Sequence, residues 1–252
     1  MEENIKNKII ESLEIQKLIF GEELYSRIEL TEKPIEKKTS SILTTAEKIT
    51  IESSSNLFAA EFENAQTLDE LFKLIHTCQK CSLGQTRKNF VFGAGNPNAN
   101  AMLIGEAPGA DEDEQGEPFV GRAGQLLTKI LSAINFQRED VYIANILKCR
   151  PPNNRNPLPI EMDTCRPYLL KQIELIKPKI ILCLGLVAAN NLLNKNSTLG
   201  NLRNNIYELN GIKVLVTFHP AALLRNPNWK KDCWIDVQNF RKLYDELVKQ
   251  SD

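Results

Sequence analysis

Four short apolar runs set the terms for this chain: Ala101–Gly105, Val141–Leu147, Lys179–Gly185 and Lys213–Phe218. Runs of this length suit strands buried on both faces, as in parallel sheets. Parallel strands need crossovers, and the segments between the runs carry helical periodicity. These helices are expected at about Gly124–Ile134, Ile160–Ile176 and from Leu186 through Leu193, with another closing the chain at about Trp234–Lys249. Ile206–Leu209 faces Lys213–Phe218 across Asn210-Gly211, a hairpin signal. Strands alternating with helices predict an α/β fold with a mostly parallel sheet. Such sheets hold ligands beyond the carboxyl ends of their strands. That directs attention to the loops Glu106–Gly121, Lys148–Pro159, Leu186 onward and His219–Pro227.

The N-terminal quarter reads differently. A helical pattern runs from about Asn4 to Leu30, and Thr31–Ser55 is polar enough for a flexible linker. A short helix near Thr67–His76 follows, with Thr67 as N-cap and Glu70 three residues on. We therefore divide the 252 residues into an acidic helical or flexible extension, 1–65, and a compact domain, 66–252. Charge is uneven along the chain: residues 1–70 carry net −7, residues 71–144 net −1 and residues 145–252 net +7. A basic half can face a polyanion. With 42% hydrophobic and 25% charged residues, the chain is not collagen-like, wholly disordered or a small disulfide scaffold. No apolar run approaches the roughly 18 residues of a membrane span. Met1-Glu2-Glu3-Asn4 lacks a secretory pattern, so a cytoplasmic setting with reduced cysteines is expected.

The strand-end loops carry chemistry. Cys78 and Cys81 are three apart, and Cys149 and Cys165 could complete a four-thiolate set for zinc or an iron–sulfur cluster. Cys183, inside a strand, and Cys233, beside Trp234, read as core residues. Gly105-Glu106-Ala107-Pro108-Gly109 directly follows the first run, so Glu106 emerges where a cleft would open. The acidic stretch Asp111-Glu112-Asp113-Glu114 reads as a solvated loop. Phe119 lies between glycines, as a core residue or as a surface for stacking a ring. Asn145 interrupts an apolar strand, and its amide offers a donor beside an acceptor, the pattern of a pyrimidine imide edge. His219 sits at a strand end before a proline turn, whereas His76 reads as a surface residue.

Taken in order, GEAPGADED, PFVGRAG, NILKCRPPNNRNP and HPAALLRNP, with the four cysteines, closely resemble the family 4, iron–sulfur, uracil-DNA glycosylases over about residues 70–248. The resemblance implies a three-layer α/β/α fold around a central, mostly parallel four-stranded sheet. It implies hydrolysis of the bond between uracil and deoxyribose in single- or double-stranded DNA, leaving an abasic site. It also implies a 4Fe-4S cluster on Cys78, Cys81, Cys149 and Cys165. Phe119 would stack on the extruded base, Asn145 would read its imide edge and His219 would donate to a uracil oxygen. Gly105, Glu106 and Ala107 would line the pocket. The best-known branch of the superfamily has aspartate one residue after Glu106; here that residue is Ala107, which leaves Glu106 or Asp111 to position water. Leu223-Leu224-Arg225 would wedge into the gap left by the base, with Arg122, Lys148, Arg150, Arg155 and Arg225 on phosphates. A monomer is expected, with no membrane contact and an unidentified partner for the extension. The alternatives are a non-catalytic four-cysteine nucleic-acid module, an electron-transfer iron–sulfur protein, or a glycosylase for other deaminated bases.

Overall fold

The computed structural model describes Ile10, residues 13–17, Lys48–Ile49 and residues 61–249. Most of the helical reading at Asn4–Leu30 and of the linker Thr31–Ser55 lies outside these residues. Where they overlap, residues 13–17 are helical and Ile15 packs against an apolar cluster of the domain. Within the expected linker, Lys48–Ile49 is instead a two-residue strand.

The strands are β1 (Lys48–Ile49), β2 (Ala94–Gly95), β3 (Ala101–Gly105), β4 (Tyr142–Asn145), β5 (Ile180–Leu184), β6 (Tyr207–Leu209) and β7 (Ile212–Thr217). They form one sheet in the order β1-β6-β7-β5-β3-β4-β2. The parallel centre is the expected four strands, β7, β5, β3 and β4. The sheet is wider than four, however, because β2 and β6 add antiparallel edges and β1 pairs in parallel outside β6. The β6–β7 turn places Asn210 and Gly211 at φ of 50° and 86°, left-handed at both positions as a two-residue hairpin requires.

Alternate strand residues point to opposite faces, and both faces are covered. Leu103, Ile143, Leu182 and Leu215 pack against helices Arg122–Ala133 and Lys230–Lys249. Met102, Ile104, Ala144, Ile181, Cys183 and Val214 pack against helices Pro159–Ile176 and Leu186–Leu193. This two-sided burial explains why the strands read as unbroken apolar runs. It makes the three-layer α/β/α arrangement, with Cys183 in its core as expected. Helix Leu68–Ile75 begins at Thr67, whose hydroxyl accepts from the Glu70 N–H at 3.1 Å. Among the described residues, no helix is long and apolar enough to cross a membrane.

Strand order now locates the site. The chain leaves β3 for β4 on one side, then returns to place β5 on the other side of β3. Such a reversal opens a crevice at the carboxyl ends of the strands.

One buried ionic knot holds the C-terminal helix to β7. Asp236, 4% exposed, accepts from Arg203 Nε at 2.7 Å, Arg203 Nη2 at 3.1 Å and Thr217 Oγ1 at 2.7 Å. Removing one partner of such a group leaves the other stranded in low dielectric. Asp236→Ala is expected to cost about 3 kcal/mol in urea denaturation. A cost below about 1 kcal/mol, the range of an exposed pair, would contradict it.

Candidate functional site

A cleft of about 370 Å³ opens at the crevice, lined by residues that include Glu106, Ala107, Phe119, Asn145, His219 and Arg225. Three separate segments, following or ending β3, β4 and β7, supply them. Their convergence rests on Gly105, the last residue of β3 and the Cα partner of Asn145 across the ladder. A side-chain carbon at Gly105 would overlap Asn145 Oδ1 and come within 2.6 Å of the Phe119 ring. Glycine there lets the amide and the ring meet over one strand end.

The Phe119 loop is held in a costly shape. Phe119 has φ of 56°, a conformation uncommon outside glycine. Arg138 donates to the carbonyls of Pro118 at 2.9 Å and Phe119 at 3.1 Å. A side-chain carbon at Gly124 would overlap the Phe119 carbonyl, so helix Arg122–Ala133 can start only with glycine there. Glu112 accepts from the N–H groups of Gly109, Val120 and Gly121, each at 3.0 Å, tying the two loops together. The acidic stretch is therefore not a solvated loop. It is helix Ala110–Gln115, and its Asp113, 4% exposed, accepts from the Lys88 N–H at 2.9 Å. Asp111 lies against Gly121 and outside the cleft lining, whereas Glu106 and Glu112 both line it, Glu112 being tied to the three backbone N–H groups above.

Asn145 ends β4 and is 2% exposed. Its Oδ1 has no hydrogen-bond partner. Buried amide oxygens are normally satisfied, and this one remains able to accept a hydrogen bond. The chain beyond it stays paired with β3's extension: Ile146 N–H donates to Gly105 and Leu147 N–H to Glu106, at 2.9 and 3.0 Å.

His219 caps helix Pro220–Arg225, its Nδ1 accepting from the Ala221 N–H at 3.2 Å. That bond leaves Nε2 to carry the proton of the neutral ring. Burial, aided by the charge of Arg225, pushes the imidazole down to about 4. The ring is thus a neutral donor near pH 7, with its centroid 5.6 Å from that of Phe119. Glu106 is half-buried, and burial raises its carboxyl above the ordinary value while Arg225 opposes the shift.

The basic and wedge residues separate. Leu224 is 45% exposed and Arg225 is exposed at the cleft mouth, but Leu223 is 0% exposed and belongs to the core, so only the last two form the tip. Arg122 is exposed at the start of its helix, outside the cleft lining. Arg155 lines the cleft, yet its guanidinium is bound to Glu161 at 2.9 and 2.5 Å. Lys148 cannot reach a phosphate: it is 0% exposed. Sequence reasoning missed Arg138 and Glu112, which build the loops, and the lining residues Pro151, Asn154 and Asn156. The last three lie beside the cysteine motif in NILKCRPPNNRNP, the signal that could have found them.

The four nominated cysteines come together beside the sheet, in an apolar cluster with Leu71, Ile75, Leu147 and Tyr168. Three of their sulfurs accept hydrogen bonds: Cys149 from Arg87 at 3.2 Å, Cys78 from the Tyr168 hydroxyl at 3.3 Å, and Cys165 from the Lys148 N–H at 3.4 Å. Among the described residues, no three His, Cys, Asp or Glu side chains gather as around a single ion. Cys233 is buried near Thr217, as a core residue. His76 is exposed, its Nδ1 within 3.1 Å of the carbonyls of its own helix.

Residues 92–243 match the family model described as the uracil DNA glycosylase superfamily. The chain is 44% identical over 186 residues to a type-4 uracil-DNA glycosylase of Archaeoglobus fulgidus, covering 71% of this chain and 94% of that protein. It is 45% identical over 181 residues to the type-4 enzyme of Pyrobaculum aerophilum, covering 69% and 92%. With the type-4 enzyme of Saccharolobus solfataricus the figure is 46% over 189 residues, covering 71% and 86%.

The buried neutral His219 has a consequence for stability. Its folded value, about 4, lies below the ordinary histidine value of about 6.5. Between these limits the unfolded chain binds more protons, so stability falls as pH drops from about 6.5 towards 4. His219→Gln is expected to flatten the pH dependence of unfolding free energy in that window. A wild-type slope in the variant would contradict it.

Proposed function

The chain belongs to the uracil DNA glycosylase superfamily, and from that premise we propose that it excises uracil from DNA by hydrolysing the N-glycosidic bond. The observation that carries this reading is the buried, unpartnered Oδ1 of Asn145, set beside an aromatic face and a neutral histidine donor.

A base within a duplex is out of reach, so it must leave the stack at a cost of a few kcal/mol. Stacking on Phe119 would return roughly 1–3 kcal/mol of that. Asn145 would then complete its hydrogen bonding on the base: Oδ1 accepts from the imide N–H and Nδ2 donates to the neighbouring carbonyl. Cytosine presents the opposite pattern at that edge, and so leaves the amide unpaired. As the bond between C1′ and N1 breaks, the sugar becomes cation-like and the base anionic. The Nε2–H of His219 would donate to a uracil oxygen, where negative charge grows. Glu106, held near the sugar, would orient water towards C1′ and offset the developing positive charge, a task for its ionised form. Water's oxygen bonds to C1′, and its proton balances the departing base. Leu224 would fill the gap in the stack while Arg225 and Arg122 meet phosphates. Arg155, occupied by Glu161, would shape the cleft wall and contact phosphate only through its exposed edge.

A 4Fe-4S cluster on Cys78, Cys81, Cys149 and Cys165 belongs to the same proposal. The donor set fits: four thiols share one apolar cluster, and three of their sulfurs accept hydrogen bonds from surrounding side chains and backbone. When bound, the cluster would tie the cysteine segments into one unit, since hydrolysis needs no electron. Six free cysteines suit a reducing, cytoplasmic compartment. The glycosylase unit, residues 66–252, would act as a monomer on single- or double-stranded DNA, with residues 1–65 as an extension open to a separate partner.

The test is release of uracil from a single-uracil oligonucleotide, with a thymine control and His219→Ala beside wild type. Uracil-specific release is expected, reduced roughly 10²–10³-fold in the variant by loss of the oxygen donor. No release by folded, iron-loaded wild type would contradict the assignment.

A further inference from the structure

Lys148 is among the largest fully buried side chains of the described residues, and the mechanism above leaves it without a task. In the chain it lies between Asn145 and Cys149. Its Nζ donates to the backbone carbonyl of Asn145 at 3.0 Å and to Gln172 Oε1 at 2.6 Å. Its backbone N–H donates to Cys165 Sγ at 3.4 Å. Among the described residues no carboxylate bonds this ammonium; its titratable neighbours are the thiols of Cys165 and Cys149.

The surroundings explain each bond. β2 ends its pairing with β4 at Ile143, so no neighbouring strand reaches the Asn145 carbonyl on that side. Lys148 supplies the missing donor. Gln172 is 0% exposed and is itself fixed, donating to the Phe92 carbonyl at 3.0 Å and the Tyr142 hydroxyl at 3.3 Å. Cys165, Tyr168 and Gln172 share one helix, three and seven residues apart, and so form one stripe facing this pocket. A buried cation with only neutral partners is strongly disfavoured. Four thiolates binding a cluster make an anionic group, and that group would be the counter-ion.

We propose that Lys148 is a positioning residue: it balances the charge of the cysteine-held cluster and uses the same ammonium to fix the base-reading end of β4. Cluster and specificity pocket are thereby one unit, although the cysteines do not line the cleft. The inference rests on the cluster and on the role of Asn145 proposed above.

Lys148→Met, purified with its cluster, is the test, with Lys148→Arg as the charge-keeping control. A dye-mediated redox titration followed by electron paramagnetic resonance should place the variant's reduction potential below wild type. Loss of a nearby cation disfavours the more negative, reduced cluster. Its kcat/KM on uracil-containing DNA should fall roughly 10–100-fold, carried mainly by KM. Lys148→Arg should restore the potential. A cluster-loaded Lys148→Met with wild-type potential, or with wild-type kcat/KM, overturns the inference. If Lys148→Met does not accumulate folded, Lys148→Gln, polar but uncharged, carries the same two expectations. Iron and sulfide analysis of wild type separates the two levels. Without iron the cluster reading fails and this inference with it; with iron and unchanged variants, this inference alone fails.

Discussion

An amide oxygen buried without a partner costs about 1–3 kcal/mol, and Asn145 Oδ1 is such an atom. The architecture around it keeps it so. Gly105 clears the space, the Phe119 loop closes one side and His219 approaches Phe119 from the end of β7. None of these groups offers Oδ1 a hydrogen bond. On the proposed reading this is a hydrogen-bonding socket, and a base that completes the bond would recover the cost. Such preorganisation favours the ligand whose donors and acceptors match over one of the same shape that lacks them.

Around that socket, charged side chains serve mostly as ties. Glu112 and Asp113 hold loop backbones, Glu161 clamps Arg155, and Asp236 anchors Arg203 and Thr217. Arg225, exposed at the cleft mouth, adds to the burial that lowers His219 and restrains the upward shift that burial gives Glu106. It thus favours an uncharged imidazole beside an ionised carboxylate. That pairing suits a reaction that needs a neutral donor to a growing anion and an anion beside a growing cation.

Much of this was legible in the chain. Two-faced strands leave unbroken apolar runs, so the parallel centre could be read directly, and the ligand loops followed from strand direction. Gly105, Glu106, Phe119, Asn145 and His219 stood out because each breaks the pattern of the element that carries it. Other features are invisible to local pattern. Strands of two residues, at β1 and β2, are too short to leave periodicity. Lys148 looked like a surface cation because burial of a charge depends on distant Gln172 and Cys165. Glu112 and Asp113 looked solvated because the backbones they bind lie in other segments. Leu223 and Leu224 are alike as residues, and helix phase alone sends one inward and the other out.

The central claim is that Asn145 Oδ1 waits for an imide N–H. Titrating ¹⁵N-labelled protein with free uracil and with free cytosine, while following the Asn145 side-chain amide, tests it without any turnover. The account predicts a saturable shift of that resonance with uracil and none with cytosine. Equal shifts with both bases, or a resonance that moves with neither while uracil binds, would contradict it.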